Sequence, residues 1–403
     1  MSVTKISLVI VAATVMAGCA SHGDYSQIQQ NGMKLNYGVN NSSSSEDKIT
    51  SDDFFQTVQQ HLSVQKIQKC VVKDNRELER NPNGYVVAPP KPYSSIDLTG
   101  QHQGQTAHFK NAELFAAYLH FNSSKFFFYD DTKKGAAAIS LLVNWAENHA
   151  FDEVKGPKEW TSVSSNRYST YIVIGSALNA LFLLHNHPDL DKTRKAVIWG
   201  WLEKLIDKSF IKKELPAGTA GFEDKEQRVN NHNATRNLLL ALYAIHKNDK
   251  ELLKKSNKRI MRSFNSVKNG VPYDANRGNW ALNYTNLAVG SLTLHTKFYS
   301  LVAKDSALEK KVKIINKIAK FLFSETENPN QIHKFARKNV GRPQKMYDGI
   351  QDIWWNSNIY SGGLVHFDWI DSGILFEPPT INFPTENRYG QFGGYVKCWF
   401  GKN

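Results

Sequence analysis

Apolar residues return every three or four positions through most of the chain from about residue 134 onward, the spacing of a helix face. Between Lys134 and about His149, Ala136, Ile139, Leu142, Val143 and Ala146 form one such stripe. Tyr168 to about Asn186 is apolar nearly all round, which predicts an inner-layer helix, and Pro188 stops it. Thr193 to about Phe210 is amphipathic. Further helices are predicted after Asn231, after Lys250, from Trp280 to about Ala303, and after Ser306. The first of these contains the apolar run Leu238 to Ile245, and the last carries Val312, Ile315, Ala319 and Leu322 on one stripe. The spacing gives helix–loop–helix pairs without a clear sequence repeat, and the class is all-α. Asp53 to about Lys110, with Pro89-Pro90-Lys91-Pro92, reads as a short helix among loops, the place for a lid. The tail after about Gln351 is Gly/Pro-rich and holds Trp354, Trp355, Trp369 and Trp399, which predicts an irregular aromatic cap with a short strand or two.

The first 18 residues read differently. Lys5 precedes a mostly apolar stretch, Ile6 to Ala17, too short to span a bilayer comfortably and typical of a signal-peptide core. It ends in Val15-Met16-Ala17-Gly18-Cys19, which resembles a bacterial lipobox. Cys19 would then be lipidated, anchoring the protein in a membrane facing the periplasm of a Gram-negative bacterium. Ala20, by resemblance to the enterobacterial sorting rule, implies the outer membrane. Residues 19–50, polar and ending near a run of four serines, read as a flexible tether. Residues 51–403 are then one folded unit, expected to be a monomer. Cys70 and Cys398 remain; in an oxidising compartment they either pair as a disulfide or stay as two buried thiols.

Hydrophobic content of 41% and an aromatic content of 12% are enough for a large core. The net charge of +13 points to a polyanionic partner. No nucleic-acid motif accompanies it, and Lys clusters such as Lys310-Lys311-Val312-Lys313 fall within helical patterns, as solvated faces do. Thirteen histidines include no metal-ligand spacing, so no metal and no cofactor is expected. His185 and His187 read as partners of a helix C-terminus, and Asp130-Asp131 as loop or cap residues.

One set of residues carries a chemistry. Asn230-Asn231-His232 stands at a predicted helix start, and Arg277 is followed by Tyr284 seven residues later in the first turns of another. Asn231 and Arg277 can neutralise a carboxylate, Arg with a two-pronged contact. His232 and Tyr284 can take and give protons. Such a group suits β-elimination from a uronic-acid polymer, where the carboxylate beside C5 must be neutralised before the C5 proton becomes acidic.

The motifs also resemble those of the periplasmic alginate lyases of polysaccharide lyase family five. Arg228-Val229-Asn230-Asn231-His232 resembles its R-(I/V)-N-N-H motif. Arg277 with Ala281-Leu282-Asn283-Tyr284-Thr285-Asn286 resembles its R…A-L-x-Y-x-N segment. Gln391 to Val396 resembles its C-terminal L-G-G-x-V, and Asp352-Ile353-Trp354-Trp355 with Tyr360 echoes W-L-x-x-Y. The resemblance implies an (α/α) toroid, an incomplete barrel of helix pairs that binds anionic polysaccharide in a deep cleft. Asn231 and Arg277 would neutralise the carboxylate. His232 would assist or act as base, and Tyr284 would be the acid, and the base on mannuronate. Arg228, Asn166, Arg167, Trp355 and Tyr360 are candidate substrate-binding residues. The family's lid is replaced here by Ser94 to Gln103, and its N-H-T-G-K segment by Ser164-Ser165-Asn166-Arg167-Tyr168-Ser169, which leaves the choice of polyuronate open. Two other functions compete: a non-catalytic glycan-binding or exopolysaccharide-assembly lipoprotein, and a toroidal hydrolase, for which Glu223 and Asp224 are the nearest carboxylates.

Overall fold

The structure, a computed structural model, describes residues 48–49, 51–67, 103–152, 164–209, 211–213, 228–276, 281–304, 307–327 and 399–400. The helices in these segments are α1 (Phe54–Ile67), α2 (Gln103–Tyr129), α3 (Thr132–Glu147), α4 (Ser164–Leu184), α5 (Lys192–Lys208), α6 (Asn231–Lys247), α7 (Lys250–Ser263), α8 (Ala281–Val302) and α9 (Ala307–Glu327). Lys48–Ile49 (β1) pairs antiparallel with Ala303–Lys304 (β2).

Side-chain caps set several of the helix starts. Asp131, Asp191, Asn230 and Asp249 each accept the N–H of the residue three positions on, opening α3, α5, α6 and α7. Each such cap contributes about 1 kcal/mol. Helix α6 ends at Asn248, in the left-handed conformation with φ 52°. Its side chain accepts the Phe54 N–H at 3.1 Å and donates to Asp52 O at 2.7 Å, so the stop of α6 also docks the start of α1.

Packing sorts the helices into two layers. Helix α4 lies between α2 and α6, and α6 between α4 and α8, giving an inner row α2–α4–α6–α8. Helices α3, α5, α7 and α9 pack outside it, each against an inner helix. This is the paired-helix toroid expected. Ring stacking ties the layers: Phe115 of α2 lies 4.0 Å from Trp145 of α3, which stacks on Phe151. Helix α1 packs on α4, α6 and α8 through their C-terminal ends. Its Phe55 meets Phe182, His185 and His246, and His61 bonds to Trp399 O at 2.7 Å. One end of the inner row is therefore closed by α1 and Trp399. The N-terminal ends of α4, α6 and α8 lie at the other.

Several expectations needed correction. The stretch from Gln103 to Lys110, expected as loop, begins α2, the longest helix among the described residues. Helix α4 begins at Ser164, one turn before the expected Tyr168. His185 bonds to Phe182 O at 3.2 Å, as a helix-end partner, whereas the buried His187 crosses to Thr132 O at 2.9 Å. Lys48–Ile49, at the end of the expected tether, pairs with the chain between α8 and α9.

Candidate active site

Helix α6 changes character halfway along. Asn230, Asn231, His232, Asn233, Thr235, Arg236 and Asn237 are all buried, yet all are polar; from Leu238 to Ile245 the burial is apolar except for the Tyr243 hydroxyl. A helix gains nothing from burying seven polar side chains in its own first turns, since each must be satisfied or costs free energy. The polar half marks a candidate site, and the apolar half anchors it in the core.

The three residues at the helix start have distinct jobs. Asn230, extended at φ −140° and ψ 164°, is the cap, its Oδ1 accepting the Asn233 N–H at 2.9 Å. Asn231 is thereby freed from capping. Its own N–H donates to Asp274 Oδ2 at 2.6 Å, and its side-chain oxygen, buried, has no hydrogen-bond partner among the described residues. His232 is next, 6% exposed. Asn233 Nδ2 reaches back to Arg228 O at 3.2 Å, and the Arg228 guanidinium sits 4.4 Å over the Tyr273 ring. The Val229 N–H donates to Ser266 Oγ at 2.9 Å. The approach to α6 is thus held by the chain on both sides of the turn that follows α7.

Helix α8 supplies Tyr284, and one hydrogen bond fixes its register against α6. Thr235 Oγ1 and Ser291 Oγ are 3.0 Å apart, so those faces of α6 and α8 look at each other. Tyr284 precedes Ser291 by seven residues, very nearly two turns, and lies on the same face about 10 Å nearer the open end. Asn231 precedes Thr235 by four residues, one turn, about 6 Å nearer that end on nearly the same face. Asn231 and Tyr284 therefore project from facing sides of neighbouring helices, with Tyr284 the further out. Tyr284 is half-buried, packed on the edge of the core. The starts of both helices carry the positive dipole ends, which attract an anion, although at α6 the Asn231 and Asn233 N–H groups are already taken by Asp274 and Asn230.

Asp274 was not among the residues expected from sequence. It is fully buried in the single helical turn Tyr273–Asn276, three residues before Arg277, and ties that turn to the Asn231 backbone. A lone Asp in a Pro-Tyr-Asp loop gives no sequence signal of this contact. Arg277 itself lies outside the described residues, as do Trp355, Tyr360, Cys19, Cys70, Cys398, Glu223, Asp224 and the expected lid from Ser94 to His102. Asn166 and Arg167 fall in the first turn of α4, at the open end of the inner row. Among the described residues there is no group of His, Cys, Asp or Glu that could hold a metal, and no helix long and apolar enough to cross a membrane.

Solved structures share this architecture. A tyrosine-to-phenylalanine variant of alginate lyase A1-III, complexed with a tetrasaccharide, matches with a TM-score of 0.60 at 15% identity, over 88% of this chain and 99% of that one. A histidine-to-alanine variant with tetrasaccharide gives 0.55 at 17% identity, over 88% and 99%. Alginate lyase A1-III from Sphingomonas species A1 gives 0.54 at 17%, over 88% and 100%. At such identities the likeness shows the fold. No curated protein matches the sequence significantly. The alginate lyase family model matches residues 59–332, a span that takes in α2 to α9 with the Asn231–His232 helix start and Tyr284, and on that match the chain belongs to the alginate lyase family of polysaccharide lyases.

Proposed function

We propose that this lyase cleaves alginate rich in mannuronate, or a related polyuronate, by β-elimination at the open end of the inner row. The observation that carries the reading is the Thr235–Ser291 contact, which sets Asn231 and Tyr284 on facing sides of adjacent helix starts. An amide, an imidazole and a phenol at a site polarised for anions are what the elimination requires. Neighbours holding a tetrasaccharide are variants at a tyrosine or a histidine, the residue types of Tyr284 and His232.

The uronate carboxylate sits against Asn231 and Arg277. Hydrogen bonds and the guanidinium charge offset its negative charge, so the C5 proton can leave and the electron pair it gives up spreads into the carboxylate. His232 assists that neutralisation or takes the proton; on mannuronate Tyr284 takes it. The pair then forms the C4–C5 double bond as the C4–O4 bond breaks, and Tyr284 protonates O4. The products are a new non-reducing end bearing a 4,5-unsaturated uronate and a shortened chain with a free hydroxyl. Arg228, held by Tyr273 at the entry to α6, and Asn166 and Arg167 on α4 bind neighbouring sugars, with Trp355 and Tyr360 contributing from the C-terminal segment.

Cys19 is the lipid anchor in this proposal, with residues 1–18 removed and the enzyme a monomer in the periplasm on the outer membrane. A Cys70–Cys398 disulfide fits the docking of α1 on Trp399, the residue after Cys398, and alkylation with and without reduction counts its thiols.

The test of the activity is ultraviolet absorbance of the lipid-free protein with polymannuronate, polyguluronate, glucuronan and hyaluronan in turn. A rise marks the conjugated double bond and names the substrate. Binding with no rise on any of them overturns the catalytic assignment and favours a glycan-binding role.

A further inference from the structure

Residues 252–273 contain six Lys or Arg and residues 310–324 contain five Lys, with no Asp or Glu in either stretch. Helical spacing sorts these cations into two populations. On α7, Lys254, Lys258 and Arg262 recur every four residues and are exposed; on α9, Lys313, Lys317 and Lys320 recur at four and three and are exposed. Arg259 and Lys311 point inward. Arg259 Nη1 donates to Ile211 O at 3.0 Å, and the Lys311 ammonium donates to Asn257 Oδ1, which makes α7 and α9 neighbours. The two exposed stripes therefore share one outer wall of the toroid.

That wall leads to the cleft. Gly270, at φ 83°, lets the loop after α7 lie directly on α9: a Cβ there would be 2.7 Å from Lys317 O. The loop brings the exposed Lys268 to this wall and continues into Tyr273–Asn276, which holds Asp274 under Asn231. Among the described residues Lys258, Arg262, Lys317 and Lys320 make no ion pair, while Lys254 pairs with Glu251 at 3.3 Å. Uncompensated like charge on adjacent helices opposes folding, so a purely solvated face would be better served by mixed signs.

We propose that the α7–α9 wall is a secondary electrostatic track for the polyuronate, holding the part of the polymer that extends beyond the cleft. This rests on the substrate class proposed above. Cations four residues apart on a helix are about 6 Å apart along its axis, a spacing commensurate with a chain bearing one carboxylate per sugar. The track raises capture of long chains and does nothing for oligosaccharides that fit within the cleft.

The experiment compares the full chain with the variant K258E/R262E/K317E/K320E, and with the same four positions changed to Gln in case charge reversal impairs folding. At low ionic strength kcat/KM on long polymer falls about tenfold or more in the Glu variant and by less in the Gln variant, with kcat/KM on tetrasaccharide unchanged. The difference vanishes near 1 M salt, where screening acts within about 3 Å. Equal polymer kinetics at low salt overturn the track. So does loss of binding to phosphatidylglycerol vesicles with unchanged polymer kinetics, which would assign the wall to a membrane surface. Equilibrium binding of polymer separates the two proposals: salt-dependent binding lost in the variant, with no unsaturated product from the wild type, overturns the lyase assignment and keeps the track.

Discussion

Replacing Asp274 by Ala removes the acceptor of the Asn231 N–H, a 2.6 Å bond between fully buried groups. A hydrogen bond to a charged acceptor contributes about 1.5–3 kcal/mol, and a buried N–H left without a partner costs about 1–3 kcal/mol. The helix start loses about 2–3 kcal/mol on that basis. For a domain of roughly 350 residues the unfolding entropy is about 0.7 kcal/mol per kelvin, so the thermal midpoint falls about 3–4 °C. The functional loss is larger. The bond joins the turn leading to Arg277 to the start of α6, and a displacement of about 1 Å between reacting groups costs about a hundredfold in rate. Asp274→Asn keeps an acceptor oxygen at the same place, so most of kcat returns with it, and the pH profile of kcat reports whether the negative charge also tunes the site. The assay is initial rate of double-bond absorbance alongside a thermal melt of each variant. Asp274→Ala with a lowered midpoint and full kcat would refute the reasoning, reducing Asp274 to a structural residue.

Tyr284→Phe should abolish product formation while polymer affinity stays within a few-fold, measured by absorbance and calorimetry; retained turnover removes the acid role. Gly135→Ala should destabilise, because a Cβ would stand 2.3 Å from the His187 ring, which is itself held by Thr132 O; the overpacking costs about 1–3 kcal/mol in a melt. His246, enclosed by Phe182, Phe55 and Trp199, has its pKa pushed down by burial to about 3 despite its bond to Leu178 O. The unfolded chain therefore takes up the proton first: this contribution is intact above about pH 6.5 and is lost as pH falls towards 3, up to about 2 kcal/mol by pH 5. His61 and His185, depressed chiefly by burial at the same closed end, add to it. His246→Gln should flatten the dependence of stability on pH between 6.5 and 4 in denaturant titrations.

The helices α3 to α9 were legible because each either carries an apolar stripe or is apolar throughout, and α3, α5, α6 and α7 also begin on a local side-chain bond from Asp131, Asp191, Asn230 or Asp249. Those features depend on residues within a few positions of one another. Helix α2 was not legible. Between Ala112 and Phe127 most of its described side chains are buried, and Asn122-Ser123-Ser124 interrupts its apolar pattern; only in the fold do Asn122 Nδ2 and Ser123 Oγ bond back to Tyr118 O and Leu119 O, at 2.8 and 2.7 Å, satisfying those two side chains within the helix. Such bonds leave no periodicity to read.

The residue types of the site, and their resemblance to a family, came from sequence: Asn231, His232, Arg277 and Tyr284 stand in two motifs about fifty positions apart. Which asparagine caps the helix was decided by backbone conformation, since Asn230 takes the extended geometry a cap needs. That Tyr284 faces Asn231 was decided by the Thr235–Ser291 contact, and that Asp274 supports them by a turn folding back across forty-three positions of chain. Sequence determines what is near in the chain, through propensity and hydrogen bonds of short reach. Which distant groups meet depends on how whole helices bury their apolar sides, and that is settled only when the layers pack.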